Sequence, residues 1–164
     1  MIRPAILAAC CLALSACVAV VPVPLPMPEP TTRAAATPVQ STSGFTSQIN
    51  ALRAQSGLAP LRQSASLTRA TQDHADDMLA RGYFSHRSAG GPNGTTLMAR
   101  VRAAGCATRG VAENIAQGQT SEAQVLTGWA NSAGHRRNML SRSMTDYGLG
   151  RAGDIWVLKL SSGC

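Results

Sequence analysis

At 164 residues, less an export segment and a stalk, the chain has room for about one domain of ordinary size and excludes a second core. Its formal net charge is +7, from 15 Lys and Arg against 8 Asp and Glu. The domain's arginines are scattered from Arg53 to Arg151, only Arg136 and Arg137 are adjacent, and no aromatics interleave with them. This excludes a nucleic-acid stripe and leaves a solvated arginine-rich surface, compatible with weak attraction to anionic lipid headgroups or acidic envelope polymers.

The chain opens on Arg3 and Pro4 followed by an apolar run from Ala5 to Ala13, the charged and hydrophobic regions of a secretory signal. Leu14-Ser15-Ala16-Cys17 then resembles a lipobox, in which small residues fit the signal peptidase and the Cys17 thiol takes a diacylglyceryl group. Residues 1–16 are therefore expected to be a lipoprotein signal peptide, with the membrane as partner through lipidated Cys17. Val18 in place of an acidic residue favours the outer membrane or periplasm of a Gram-negative cell. The competing reading is an uncleaved anchor, since Pro4 to Val21 is nearly long enough to span a bilayer. Residues 17–44 read as a stalk: Pro22, Pro24, Pro26, Pro28 and Pro30 lock φ and remove donors, favouring extended polyproline II. The Thr/Ala/Ser/Gln-rich stretch after them has no apolar period.

From residue 45 to 164 the pattern is that of a folded domain. Phe45, Ile49 and Leu52 recur at helical spacing until Gly57. A second helix, Ser66 to Arg81, puts Leu67, Ala70, His74, Met78 and Leu79 along one side, with Asp73, Asp76 and Asp77 mostly away from it. Gly82 ends it. Glycines 90, 91 and 94 with Pro92 mark a loop. A third helix runs from Thr96 to Ala104, with Gly105 as its stop. Val111 to Ala116 is the candidate for a third strand, although period alone does not assign so short an apolar run. Ser121 caps a fourth helix carrying Val125, Leu126 and Trp129 inward, with Asn131 to Gly134 as its break. Tyr147 to Arg151 and Ile155 to Lys159 alternate with period two around Ala152-Gly153-Asp154, a hairpin. Helices first and an antiparallel sheet last predict an α+β fold.

Once Cys10 and Cys11 leave with the signal and Cys17 carries lipid, only Cys106 and Cys164 remain, and in an oxidising compartment the economical reading is one disulfide.

His86, Glu113 and His135 combine two imidazoles with one carboxylate, a ligand set known for zinc. The alternative is that the histidines satisfy buried backbone groups and Glu113 accepts their protons, knitting loops to a sheet. His74, on an apolar helix face, reads as a core histidine. Ser85 beside His86 lacks an oxyanion motif, which argues against a serine hydrolase. Asn114 and Asn138 read as turn braces, and Trp129 and Trp156 as core.

Ile49-Asn50-Ala51-Leu52-Arg53, Gly57-Leu58, Pro60-Leu61, His74-Ala75, Met78, Gly82-Tyr83-Phe84-Ser85-His86, Glu113-Asn114-Ile115-Ala116, Trp129, Ser132 and Gly134-His135-Arg136-Arg137-Asn138 together resemble the bacterial branch of the CAP superfamily, also called SCP-like, after the cysteine-rich secretory, antigen 5 and pathogenesis-related-1 proteins. The resemblance implies a CAP-like α-β-α sandwich, helices around a small antiparallel sheet, and a central cleft to which His86, Glu113 and His135 contribute. It departs at Ser132, where the eukaryotic branch has a second cleft glutamate, and at Ala112, where a glycine usually precedes the first. The loss of an oxygen ligand at Ser132 weakens a metal role.

Three functions follow as expectations. The first is a noncatalytic, monomeric envelope binding module for a small ligand, lipid or cell-wall fragment, needing no cofactor but able to hold a divalent cation such as zinc weakly at His86, Glu113 and His135. The second is a metal-assisted hydrolase with Glu113 as its catalytic candidate, and the third a structural or partner-binding lipoprotein.

Overall fold

A computed structural model describes residues 43–88, 90–91 and 93–164. The signal, Cys17 and nearly all of the stalk lie outside the described residues. The elements in chain order are α1 (Ser43–Gln55), β1 (Arg62–Gln63), α2 (Ala65–Arg81), α3 (Leu97–Ala103), β2 (Val111–Gln117), α4 (Glu122–Asn131), α5 (Ala133–Met139), β3 (Asp146–Ala152) and β4 (Ile155–Ser161).

Local chemistry accounts for most of these boundaries. The side chains of Ser64, Thr96 and Ser121 accept from the third backbone N–H of α2, α3 and α4 respectively, satisfying donors that helix starts leave orphaned. Gly82 closes α2 in the left-handed conformation at φ 64°, where a Cβ would be strained.

The four strands form one sheet in the order β1-β3-β4-β2, with β1 parallel to β3 and the other pairs antiparallel. The α+β sandwich is as expected. The parallel addition of β1, only two residues long, is too short to leave a periodic signal, and it makes the sheet mixed.

Period-two alternation sorts β4 between two layers. Trp156, Leu158 and Leu160 join Phe45 and Ile49 of α1, Val125, Leu126 and Trp129 of α4, and Met139 of α5 in the larger core. Ile155 and Val157 pack on the opposite face with Ala75 and Met78 of α2. Strand β3 has glycine at 148 and 150, and an added Cβ there would fall 2.3 Å from the Leu67 carbonyl carbon and 2.6 Å from the Gln72 nitrogen. The backbone of α2 therefore rests almost directly on β3, and this close approach fixes the depth at which the α2 side chains meet the sheet. A disulfide joins Cys106 to Cys164, 58 residues apart.

Four local expectations are corrected. Asn131 to Gly134 does not end helical structure: only Ser132 is extended, at φ −97° and ψ 120°, and α5 starts at once. Leu79 is half exposed, because it lies past the buried stripe of α2 and beside the hairpin turn at Gly153. The arginines are not all solvated. Arg53 is buried with its guanidinium donating to the carbonyls of Ala59, Met139, Ser141 and Met144, and Arg100 is buried in the site described next. Asn114 and Asn138 do not brace turns, and their partners also belong to that site.

Candidate functional site

Glu113 and Lys159 are directly opposed on β2 and β4, on the sheet face that α2 covers. Both side chains are buried, and the Lys159 ammonium lies 3.0 Å from Glu113 Oε2 while also donating to the Ala70 carbonyl of α2. Arg100 of α3 donates to the same carboxylate at 3.2 Å and to the His86 carbonyl at 2.8 Å. From the loop after α2, His86 Nδ1 reaches Glu113 Oε1 at 2.9 Å. His74 of α2 stands behind, with Nε2 3.1 Å from the Ser85 carbonyl and 3.9 Å from Glu113 Oε1. One carboxylate thus receives a lysine, an arginine and a histidine, and the loop carrying His86 is tied down at two successive carbonyls.

The electrostatics follow from burial and pairing. Burial alone would raise the Glu113 carboxyl, but the hydrogen bond from His86 and the charges of Lys159 and Arg100 overcome it and hold it at about 2. Lys159 is lowered to about 8, chiefly by burial, with Glu113 opposing and Arg100 reinforcing the shift. His74 is lowered to about 4 by burial first and then by Lys159, so it is neutral at pH 7.

An ionised carboxylate only accepts, so His86 Nδ1 carries the hydrogen toward Glu113, and in the neutral ring the bare lone pair is on Nε2. The His86 side chain is 56% exposed and that of Glu113 is 2% exposed. Glu113 therefore acts behind His86, orienting it, as carboxylates do behind presented histidines.

His135 sits on α5, half buried, its pKa lowered by burial and then by the proximity of His86. Its backbone carbonyl accepts from Asn114 of β2, whose own amide oxygen accepts from Asn138 of α5, and Asn138 also donates to the Glu113 carbonyl. The two asparagines clamp α5 to β2, which brings His135 toward His86. Ser132 occupies the N-cap of α5 without making a side-chain cap. Ser85 Oγ accepts from the Arg87 N–H.

The structure thus joins His86 to Glu113 directly and places His135 near His86. The residues do not fit a zinc centre as they stand. Among the described residues no three His, Cys, Asp or Glu side chains stand together so as to hold a metal ion, and the carboxylate expected as a ligand already faces two fixed cations. Sequence reasoning missed Arg100, Lys159 and the part played by His74. A signal for one was present: Lys159 shares the period-two face of Ile155 and Val157, so a charge was due to be buried there.

The cysteine-rich secretory protein family, CAP, matches residues 46–155. The chain belongs to that family. Among curated relatives, Bacillus subtilis (strain 168) YkwD is 34% identical over 110 residues, covering 66% of this chain and 42% of YkwD. The membrane protein YlbC of the same strain is 31% identical over 101 residues, covering 62% of this chain and 28% of YlbC. The chain therefore spans less than half the length of either relative. Among solved structures, an extracellular protein containing an SCP domain from Bacillus anthracis str. Ames superposes with a TM-score of 0.65 at 30% identity, covering 72% of this chain and 40% of that one. An outer surface protein of Borrelia burgdorferi gives a TM-score of 0.63 at 21% identity, over 76% of this chain and 96% of that one, which speaks to the fold alone.

Proposed function

We propose that this CAP-domain chain is an extracytoplasmic, lipid-anchored and noncatalytic binding module whose ligand, a small molecule, lipid or cell-wall fragment, meets His86 and His135. The observation that carries the reading is the state of Glu113. Its carboxylate is buried and spent on His86, Arg100 and Lys159, so it is neither a free general base nor an open metal ligand. Ser85 is engaged locally, and among the described residues no base is aimed at it. What faces a ligand is a pair of imidazoles, one held in a defined tautomer, on a framework rigid enough to keep them in place.

An envelope location is supported by the disulfide, which belongs to oxidising compartments. It is also supported by the extracellular description of the structural neighbour from Bacillus anthracis. Among the described residues no helix is long and apolar enough to cross a membrane. Anchoring through Cys17 is tested by Cys17→Ser, expected to abolish lipid labelling and to release the protein from washed membranes. Retention of the unlabelled variant there would favour an uncleaved anchor.

The binding reading is tested by imidazole NMR during titration with muropeptides, with anionic and zwitterionic vesicles, and with zinc chloride at pH 7.5. Saturable shifts of His86 and His135 with an organic probe, and no turnover of peptide, ester or peptidoglycan substrates, are expected. Stoichiometric zinc binding lost in the His86→Ala, His135→Ala double variant, together with zinc-dependent hydrolysis, would replace the module by a metal hydrolase.

A further inference from the structure

Arginines scattered along the chain gather at one end of the sheet. Register sets Arg62, Asp146, Ser161 and Val111 side by side as the end row of β1, β3, β4 and β2. Arg109 stands just before that row on the β2 side and Arg142 just before it on the β3 side, and both are exposed. Arg69, early in α2, donates to the carbonyl of Ala104, the C-cap of α3, and Arg102 lies on the last turn of α3. That end of α3 is tied to the same row through Cys106 and Cys164. Five separate segments thus each bring an exposed arginine to one pole of the domain.

Little opposes them. Asp146 is the acidic side chain of this pole, and it is buried and taken by Arg62, the Thr145 hydroxyl and the Cys164 N–H. The terminal carboxylate of Cys164 is the other anion. Arg102, Arg109 and Arg142 enter no ion pair among the described residues. The remaining acids lie elsewhere: Glu113 in the candidate site, Asp73, Asp76 and Asp77 further along α2, and Glu122 and Asp154 at the opposite end of the sheet.

The opposite end also receives the chain. Arg151 donates to the Thr120 carbonyl and Trp156 to that of Gln119, which sets the start of α4 beside the β3–β4 hairpin turn. A Cβ on Gly44, at the start of α1, would lie 3.4 Å from the Glu122 carboxylate. The segment that precedes α1 therefore joins the domain at its acidic end and leaves the arginine pole as the far side.

Arginine keeps its charge at every physiological pH, and its planar fork pairs with carboxylates. Cations spread over several segments suit a chain of repeated anions, which engages them together, better than one small ion, which reaches one or two. We propose that this pole is a docking surface for an acidic polysaccharide of the envelope, with Arg102, Arg109 and Arg142 as its principal contacts. The choice of a polymer over a bilayer rests on the anchoring through Cys17 proposed above, which ties the acidic end to the membrane. The surface makes no use of the His86 and His135 cleft.

The test is calorimetric titration of the mature chain, residues 17–164 with Cys17→Ser and the disulfide intact, with polygalacturonate at about 50 and 200 mM salt. Neutral dextran and phosphatidylglycerol vesicles serve as comparisons. Polygalacturonate is expected to bind and to weaken steeply with salt, and dextran to stay silent. Arg102→Gln, Arg109→Gln, Arg142→Gln together should weaken binding about tenfold or more. Arg87→Gln, Arg136→Gln, Arg137→Gln remove the same charge from exposed positions beside the cleft histidines, and together should weaken it at most about twofold. Equal losses in the two triple variants would mean that net charge alone is read, and a larger loss in the second would move the polymer to the cleft. Either result overturns the proposal, as does binding to the vesicles as tight per anionic group as to the polymer. Cys17→Ser tests the anchoring separately, through release from membranes, so the failure of one reading is distinguishable from failure of the other.

Discussion

Replacing Glu113 by Gln keeps the shape of the side chain and removes its charge, leaving Lys159 and Arg100 buried without their counter-ion. The wild-type carboxyl is held at about 2 against an ordinary 4.5, and at about 1.4 kcal/mol per pH unit that difference is worth about 3 kcal/mol of folding stability. Mutational experience with broken buried pairs gives a similar figure, about 3–5 kcal/mol. Because the folded pKa is depressed, this contribution is fully present above pH 4.5 and is lost as pH falls toward 2. Urea unfolding of wild type and Glu113→Gln, disulfide intact, should therefore show a gap of about 3 kcal/mol at pH 7 that closes between pH 4.5 and pH 2. Adding Lys159→Met should recover a good part of the gap at pH 7, since it removes the stranded ammonium. A Glu113→Gln variant within about 0.5 kcal/mol of wild type at pH 7, or a gap that persists unchanged at pH 2, would refute the view that Glu113 is the counter-ion of this cluster.

The remaining expectations can be checked by the same unfolding measurement. His74 is held at about 4 against an ordinary 6.5, so the unfolded chain binds a proton that the folded chain refuses. Stability should fall by about 3 kcal/mol as pH drops from 6.5 to 4, and this decline should be absent from a His74→Gln variant once the Glu113 contribution is subtracted. Replacing Cys106 and Cys164 by Ser opens a 58-residue loop and should cost about 4 kcal/mol on a chain-entropy estimate, with the far-UV spectrum retained at low temperature. Gly148→Ala forces a Cβ onto the Leu67 and Thr68 backbone and should destabilise by about 3 kcal/mol. Gly128→Ala in α4, which meets nothing within 4 Å, should instead stabilise by about 0.5–1 kcal/mol.

The helices with side-chain caps, the Gly82 stop, the Gly153 hairpin and the Cys106–Cys164 pair were legible in the chain because each rests on neighbours in sequence or on a count that leaves one solution. Leu67, Ala70, His74 and Met78 declared a buried stripe for the same reason, since period 3.6 is a local property. Strand β1 and the restart of α5 at Ala133 were not legible: two residues carry no period, and Ser132 interrupts the helix for a single residue. The candidate site divides along the same line. Residue chemistry and the family resemblance singled out His86, Glu113 and His135, yet what Glu113 does depends on groups far from it in the chain. Sheet register sets Lys159 opposite Glu113, and packing of α3 brings in Arg100. The glycines of β3 let α2 sit close to the sheet, where His74 Nε2 comes within 3.9 Å of Glu113 Oε1. A carboxylate with two histidines reads as a metal site until those cations arrive, and long-range packing alone determines that they do.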